Sequence, residues 1–543
     1  MNRVAQYLQE HLDGEVMTSA DARDFFSTDS SIFKVVPQVI VYPRSESDIR
    51  KLAKFSWQLA ERGRNIPVTC RGSGTDFGGG AIGSGILVNF PAHYNKLLTL
   101  DPNKGLVTVQ PGINLGALQQ ILMTHGHHLP AVPASLDYST AGGAIANNAG
   151  GKRSIKYGST KDYVTSLRVV LANGEVITTG LIGKKELNKK KGLPTLEGEI
   201  YRTIDNIVTE NADLLSKTVP TASMNNSGYD LWSIKDAKGN FDLTKLIVGS
   251  QGTLGIISEA GFEADAYTPE TTLIVGYFDS LDKATDAVTR ISKLGPSSLE
   301  LIDFNLIEYL DATSPNHLKK VLQKPFPKIV LLAEYDDLSR RVQKRKTKKT
   351  IKQLESLAYQ IAVTNDPFEQ EDYWKIRDSA SAVMWQSASN KKPVPIIGDA
   401  VVPPERLNEY LVHFYRLCDE FDIDKAIWGH AGDANLQMMP LIDLGQLGDR
   451  QKVFKIMNAY YKLVTSLGGS ITGQYNDGRL RAPYVQLMYG HQIYDLFRQV
   501  KQVFDPYDSM NPGVKMGSQL SDIQKIVRTD YNMSHLYSHM PRT

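Results

Sequence analysis

Three segments in the first half of the chain concentrate glycine among small polar residues: Arg71-Gly72-Ser73-Gly74-Thr75-Asp76-Phe77-Gly78-Gly79-Gly80, Thr140–Gly151 and Gly249–Gly255. Such runs present consecutive backbone N–H groups with no Cβ in the way, the arrangement that holds a phosphate or pyrophosphate. The chemistry on offer is cofactor binding, although no single loop names the ligand. The Rossmann fingerprint is absent, because Gly72-Ser73-Gly74-Thr75-Asp76-Phe77 lacks the final glycine, and so is the Walker pattern Gly-x4-Gly-Lys-Ser/Thr. His125-Gly126-His127-His128 also gathers imidazoles. It falls at a helix end, with a spacing that does not put the rings on one face, so it is read as structural and not as a metal site.

The elements that must carry these loops follow from periodicity and punctuation. A polar helical arm (1–31) precedes a core that begins at Val35–Tyr42. Ser45 and Asp48 form a capping-box pattern before Ile49, Leu52, Ala53, Leu59 and Ala60 at helical spacing, and Gly63 ends that helix. Strands are expected at Ile66–Cys70 and Ile86–Phe90, with hairpins at Leu97–Leu100/Leu106–Gln110 and Leu167–Leu171/Glu175–Thr179, the last turned by Asn173-Gly174. Asn114 caps a helix over Leu115–Thr124. After Glu270 the texture becomes strand (Leu273–Phe278), helix (Ser280–Leu294), strand (Ser298–Asp303), then a strand at Lys328–Tyr335, a basic helix and a helix over Glu405–Phe421. The fold class is therefore α+β, divided as arm 1–31, first domain 32–268, second α/β domain 269–515 with an antiparallel sheet, and tail 516–543.

Composition narrows the function. The 543 residues carry 61 Lys plus Arg against 59 Asp plus Glu, a net charge of +2, too near neutral to advertise a nucleic-acid partner. The cationic runs at 184–191 and 340–349 are read as a surface loop and a solvated helix face. Cys70 and Cys418 are isolated and supply neither an iron–sulfur cluster nor a four-cysteine zinc site. Met1–Asp13 has no apolar run for a signal peptide, and no stretch reaches the ~18 apolar residues of a membrane helix. A cytoplasmic protein is expected, with the inner face of the membrane as the alternative placement.

Taken together, Arg71-Gly72-Ser73-Gly74-Thr75, Pro133-Ala134-Ser135, Gly142–Gly151, Tyr157-Gly158-Ser159-Thr160-Lys161-Asp162 and Gly249–Ile256 resemble the FAD-binding domain of the vanillyl-alcohol-oxidase superfamily, of the two-subdomain PCMH type. Trp374–Arg377, Gly429-His430-Ala431-Gly432-Asp433, Gly468–Gly473 and Asn511-Pro512-Gly513 are similar to its D-lactate dehydrogenase and glycolate-oxidase branch, in which a substrate (cap) domain follows. The resemblance implies FAD, held by Arg71, Gly72, Ser73, Gly74, Thr75, Asp76, Pro133, Ser135, Thr140, Gly142, Gly143, Asn147, Asn148, Gly150, Gly151, Tyr157, Gly158, Gly252, Ile256, Ile257 and Asn511. Members with covalent flavin carry a histidine where this chain has Thr75, so non-covalent FAD is expected.

The same resemblance implies hydride transfer from a D-2-hydroxy acid to the flavin, with a base for the hydroxyl proton, an arginine for the carboxylate and often a divalent metal. Arg377 stands where the family's carboxylate-binding arginine stands, a role suited to a bidentate fork. The family's His-x-Gly-Asp-Gly-Asn-x-His reads here His430-Ala431-Gly432-Asp433-Ala434-Asn435-Leu436-Gln437, and its Gly-Glu-His-Gly reads Gly473-Gln474-Tyr475-Asn476. His430 is the remnant of the metal set. Gln437 replaces a metal histidine, Gln474 the metal carboxylate and Tyr475 the base. One imidazole with two amides is a poor metal site, so no metal is expected.

The expected catalytic set is Tyr475, His430, Arg377 and Gln474. Arg479 and Arg481 either lower the Tyr475 pKa or bind a second acidic group. Only about 30 residues follow Gly513 and none is Cys. Electrons are thus expected to leave to a separate acceptor: a quinone, an iron–sulfur protein, a cytochrome or oxygen. Two other readings stand beside hydroxy-acid oxidation: oxidation of another alcohol or phenol, and a degenerate flavin-bearing subunit of a larger complex.

Overall fold

The computed structural model describes residues 3–313, 321–380 and 390–537. The first sheet holds β1 (Glu15–Met17), β2 (Val39–Tyr42), β3 (Val68–Arg71) and β4 (Ile86–Asn89) in the order β1-β2-β4-β3. β2 and β3 each lie parallel to β4, with the helix Glu46–Glu61 as the crossover. Ser45 caps that helix, its side chain accepting from Asp48 N at 3.2 Å, as the capping pattern predicts.

A second sheet follows, built from β5 (Leu97–Asp101), β6 (Leu106–Val109), β7 (Val164–Val170), β8 (Val176–Ile182), β9 (Phe241–Asp242) and β10 (Ile256–Glu263). Its order is β9-β8-β7-β10-β6-β5, with every pairing antiparallel. The long return of β10 between β6 and β7 closes this half of the protein.

The N-terminal arm packs on the first sheet. Val4, Ala5 and Leu8 are buried in the cluster of Val39, Val41, Ile49 and Leu52. β1 extends the first sheet, and Asp48 accepts from Asp13 N at 2.9 Å. The tail, described as far as residue 537, also returns to this half: Phe33 bridges Val527, and Arg528 N donates to Ile32 O at 2.9 Å. A three-residue apolar spacing and a few main-chain bonds suffice to dock segments that composition alone sets apart.

The second domain carries an antiparallel sheet of β11 (Thr272–Phe278), β12 (Ser298–Asp303), β13 (Ile329–Tyr335), β14 (Gln360–Thr364), β15 (Trp428–His430) and β16 (Asn435–Gln437). The order is β14-β11-β13-β12-β15-β16. Alternation divides β12 between two cores. Leu299 and Leu301 pack with Leu331, Ala333 and the helix residues Ala284, Val288 and Ile291. Ile302 packs on the other face with Val330, Leu332 and Trp374. Glu300 belongs by register to this second face, opposite Leu332.

The run 184–191, expected as a loop, is the helix Lys184–Lys191, held by Lys190–Glu197 and Lys191–Asp205 ion pairs, both 2.5 Å. The basic helix spans Arg340–Leu354, burying Gln343, Thr350 and Leu354, with Arg340 on Glu270 and Lys346 on Asp337. Among the described residues no helix is long and apolar enough to cross a membrane.

Candidate functional site

A cavity of about 810 Å³ opens between the two domains, at the upper end of the range for ligand pockets. One wall comes from the glycine loops. Thr140 caps the helix Ala141–Asn147, accepting from Gly143 N at 3.1 Å, and its hydroxyl fills the space a Cβ on Gly72 would need. Gly74 has φ +73°, and a Cβ there would collide with the Arg71 guanidinium. The loop can therefore close only with glycine at both positions.

Arg71, Gly72, Ser73, Gly74, Thr75, Asp76, Pro133, Ser135, Thr140, Gly142, Gly143, Asn147, Gly150, Gly252 and Ile257 all line the cavity. Arg71 is 1% exposed and donates to Thr28 O at 2.7 Å, while its Nε and one terminal nitrogen have no partner among the described residues. Burial, opposed by Asp29, lowers its pKa to about 10, still a cation at neutral pH. Unmet cationic donors beside a backbone cradle fit a dinucleotide pyrophosphate. Burial raises the Asp76 carboxyl to about 6, with Gly80 N donating to it at 2.5 Å.

Six expected cofactor residues do not line the cavity. Asn148 ends its helix in the left-handed region and bonds Asn226 at 2.7 Å, and Gly151 is pressed on Val132 O. Gly158 has φ +69° beside Asp162, Ile256 is core, and Asn511 ties Gly80 O to Gln251 O at 2.8 Å each. The Tyr157 hydroxyl donates to Asp336 at 2.8 Å instead. It belongs to a seam in which Arg153 meets Glu334 (2.9 Å), Lys156 meets Asp336 (2.5 Å) and Ser154 donates to Asp433 (2.5 Å), joining the two domains.

The opposite wall is charged. Arg377, on the helix Pro367–Asp378, donates from Nε to Glu300 Oε2 at 2.6 Å. Glu300 Oε1 lies 2.6 Å from His430 Nδ1, and His430 Nε2 is 3.1 Å from Gln474 Oε1. Burial alone pushes the Glu300 carboxyl up, but His430 and Arg377, hydrogen-bonded to its two oxygens, prevail and hold it at about 2. Asp433 is pushed up by burial, against the Ser154 hydrogen bond. Asp399 shapes the Gln474-Tyr475 turn, accepting from Gln474 N (2.9 Å), Tyr475 N (2.8 Å) and the Thr472 hydroxyl (2.5 Å).

Tyr475 lines the cavity edge-on to Phe77, ring centroids 5.1 Å apart. Its hydroxyl is pushed up, chiefly by burial and then by Asp399, against Arg377 and Arg481. Of the two roles read for Arg479 and Arg481, lowering this phenol is the one that burial outweighs. Arg479 is spent on Pro512 O (2.8 Å) and Ile82 O (2.9 Å), and Arg481 donates to Asn476 O at 3.1 Å.

Gln437 shares the sheet face of Trp428, which it opposes. It is 5% exposed and lines the cavity, and its Nε2 has no partner among the described residues. No group of three or more His, Cys, Asp or Glu among the described residues could hold a metal ion. His128 also lines the cavity, its pKa lowered to about 4 by burial and then by Arg153.

Sequence reasoning missed Glu300 and Asp399. Glu300 left one signal, an acid between two leucines in a strand buried throughout. Asp399 left none.

Residues 37–180 match the family model described as an FAD binding domain, and residues 268–514 that of the C-terminal domain of FAD linked oxidases. The chain is 27% identical over 531 residues to a D-2-hydroxyglutarate dehydrogenase of Pantoea ananatis, covering 94% of this chain and 52% of that protein. It is 28% identical to the glycolate oxidase subunit GlcD of Bacillus subtilis, covering 89% of each. The chain thus spans about half the length of the first of these relatives. In fold it is similar to p-cresol methylhydroxylase, with TM-score 0.69 at 15% identity over 96% of this chain and 97% of that one. A phosphate cradle without a Rossmann motif, a PCMH-like architecture and two adjoining domain matches agree: the chain belongs to the FAD-linked oxidoreductases in which an FAD-binding domain is followed by the FAD-linked oxidase C-terminal domain.

Proposed function

We propose that this protein oxidises a small 2-hydroxy acid to the 2-oxo acid with non-covalent FAD. The observation that carries the reading is the buried charge wall of Arg377, Glu300 and His430 on the same cavity as the glycine cradle. FAD, when bound, supplies the hydride acceptor. Thr75 cannot form a ring-nitrogen link to it, which supports the non-covalent mode.

The chain's own residues do the rest. Arg377 spends Nε on Glu300 and has only a 3.7 Å ion pair to Asp378 at one terminal nitrogen, so its terminal edge can still take a carboxylate. His430 takes the hydroxyl proton at Nε2, the nitrogen turned toward Gln474. Tyr475 stays protonated and donates, replacing the expected role of base. The unmet Gln437 Nε2 donates to a substrate oxygen, so that two amides stand where the family places metal ligands. As the hydroxy acid becomes the oxo acid, the O–H proton goes to His430 Nε2 and the carbonyl forms, while the hydride of the C–H bond would be taken by FAD held in the glycine cradle.

A separate acceptor would then be needed for the electrons: a quinone, an iron–sulfur protein, a cytochrome or oxygen. We place the protein in the cytoplasm. Two unpaired cysteines, Cys70 and Cys418, support that placement.

The test is anaerobic. D- and L-2-hydroxy acids are added to the purified yellow protein while the flavin band is followed. Bleaching by one enantiomer supports the reading. A flavin that dithionite bleaches and no acid does would remove it, and would favour a flavin-bearing subunit.

A further inference from the structure

Glu300 has no exposed surface and sits in β12 between Leu299 and Leu301. A carboxylate in such a strand is costly unless fully paired, and β12 needs none for its pairing. Its two oxygens serve side chains from two different elements: Oε2 takes Arg377 Nε of the helix Pro367–Asp378, and Oε1 faces His430 Nδ1 of β15, both at 2.6 Å.

No neighbouring acid duplicates that arrangement among the described residues. Asp378 reaches Arg377 only at 3.7 Å and from the surface. Asp433 is engaged by Ser154, and Asp399 by the Gln474-Tyr475 turn. An ionised carboxylate at Nδ1 requires the ring proton on Nδ1, which leaves Nε2 for chemistry. On that side Gln474 Oε1 lies 3.1 Å from Nε2 while Gln474 Nε2 faces Gly151 O and Ser154 Oγ at 3.4 Å, so the amide must turn away for Nε2 to accept a proton.

We infer that Glu300 is a positioning residue for hydroxy-acid oxidation. It holds Arg377 by Nε so that the terminal nitrogens meet the substrate carboxylate, and it holds His430 as the Nδ1–H tautomer so that Nε2 receives the hydroxyl proton. The inference rests on the reading of the preceding section, but it makes a prediction of its own. Removing the charge of Glu300 takes a negative group away from an anion site, so acid binding should not weaken. Glutamine keeps an oxygen for Arg377 Nε, so what is lost is the hold on the His430 tautomer, and hence rate.

The experiment uses FAD-loaded protein and two readouts. In anaerobic stopped flow, Glu300→Gln is expected to slow the limiting rate of flavin reduction about 100-fold. The acid's Kd should stay within about threefold or tighten. Glu300→Asp keeps the charge and should recover part of the rate. Nitrogen-15 NMR of histidine-labelled protein, with the His430 signal assigned by its loss in His430→Asn, should report the Nδ1–H form in the wild type and a changed tautomer in Glu300→Gln.

An unchanged tautomer in Glu300→Gln overturns the inference. So does a proportional loss of binding and rate, or a loss of FAD with normal rates in the flavin that remains; either marks a structural acid only. If no hydroxy acid reduces the wild-type flavin, the functional reading fails while the NMR arm still decides whether Glu300 sets His430.

Discussion

The two walls of the cavity are built on different principles. The cofactor side is backbone: its shape comes from glycines that pack against Thr140 and Arg71, and its residues lie in short contiguous loops. The cap side is side-chain charge, assembled from β12, the helix Pro367–Asp378, β15 and the turn held by Asp399. A backbone cradle tolerates little substitution at its glycines, whereas a charge wall can be rebuilt with other side chains provided every buried charge keeps a partner. On this view the first wall should govern whether FAD stays and the second whether substrate reacts.

That separation can be broken by mutation. The largest effect is expected for His430→Asn: flavin reduction slowed by about 10²–10⁴-fold, with FAD content unchanged by absorbance. Arg377→Ala comes next. It leaves Glu300 half-paired, a disruption of about 3–5 kcal/mol, and should raise the Kd for acids by two to three orders of magnitude while sparing FAD content. An equal effect on neutral alcohols would sink the carboxylate role.

Gly74→Val tests the other wall. A β-branched residue forced to φ +73° beside Arg71 costs about 1–3 kcal/mol, so FAD should bind roughly 5- to 150-fold more weakly by equilibrium dialysis. Reduction of the flavin that remains bound should keep its normal rate. Tyr475→Phe should have the smallest effect. Burial keeps this hydroxyl protonated, so the loss is one donor, less than about tenfold in rate. A drop of several orders of magnitude would restore Tyr475 as the base.

The same contrast explains what could be read in the sequence. The Arg71–Gly80 and Thr140–Gly151 loops announce themselves because the residues that make a cradle are neighbours in the chain. The capped helix Glu46–Glu61 was legible from local capping, and the strand Ser298–Asp303 from its place after a strand and an amphipathic helix.

Other features depend on packing that no local pattern encodes. Tyr157 looks like a cofactor residue by its place in a motif, yet it serves the domain seam through Asp336, more than 170 residues away. The N-terminal arm looks detached because it is polar, yet β1 and the buried Val4, Ala5 and Leu8 fix residues 3–17 to the first sheet. The helices Leu447–Ser466 and Val485–Phe504, the second kinked at Gly490, have no side-chain cap at their starts, so no local signal opened them. Residue type located the charge wall only in part. Arg377 and His430 were visible, but the acid that joins them comes from a different strand.

The central claim is that a carboxylate-bearing alcohol is oxidised at the charged wall. It is tested most directly by mixing the yellow protein anaerobically with a 2-hydroxy acid and, separately, with the amide of the same acid. The account predicts that one enantiomer of the acid bleaches the flavin and that its amide does so at least about 100-fold more slowly, because the amide offers Arg377 no anion. Equal bleaching by acid and amide, or bleaching by dithionite alone, would contradict it.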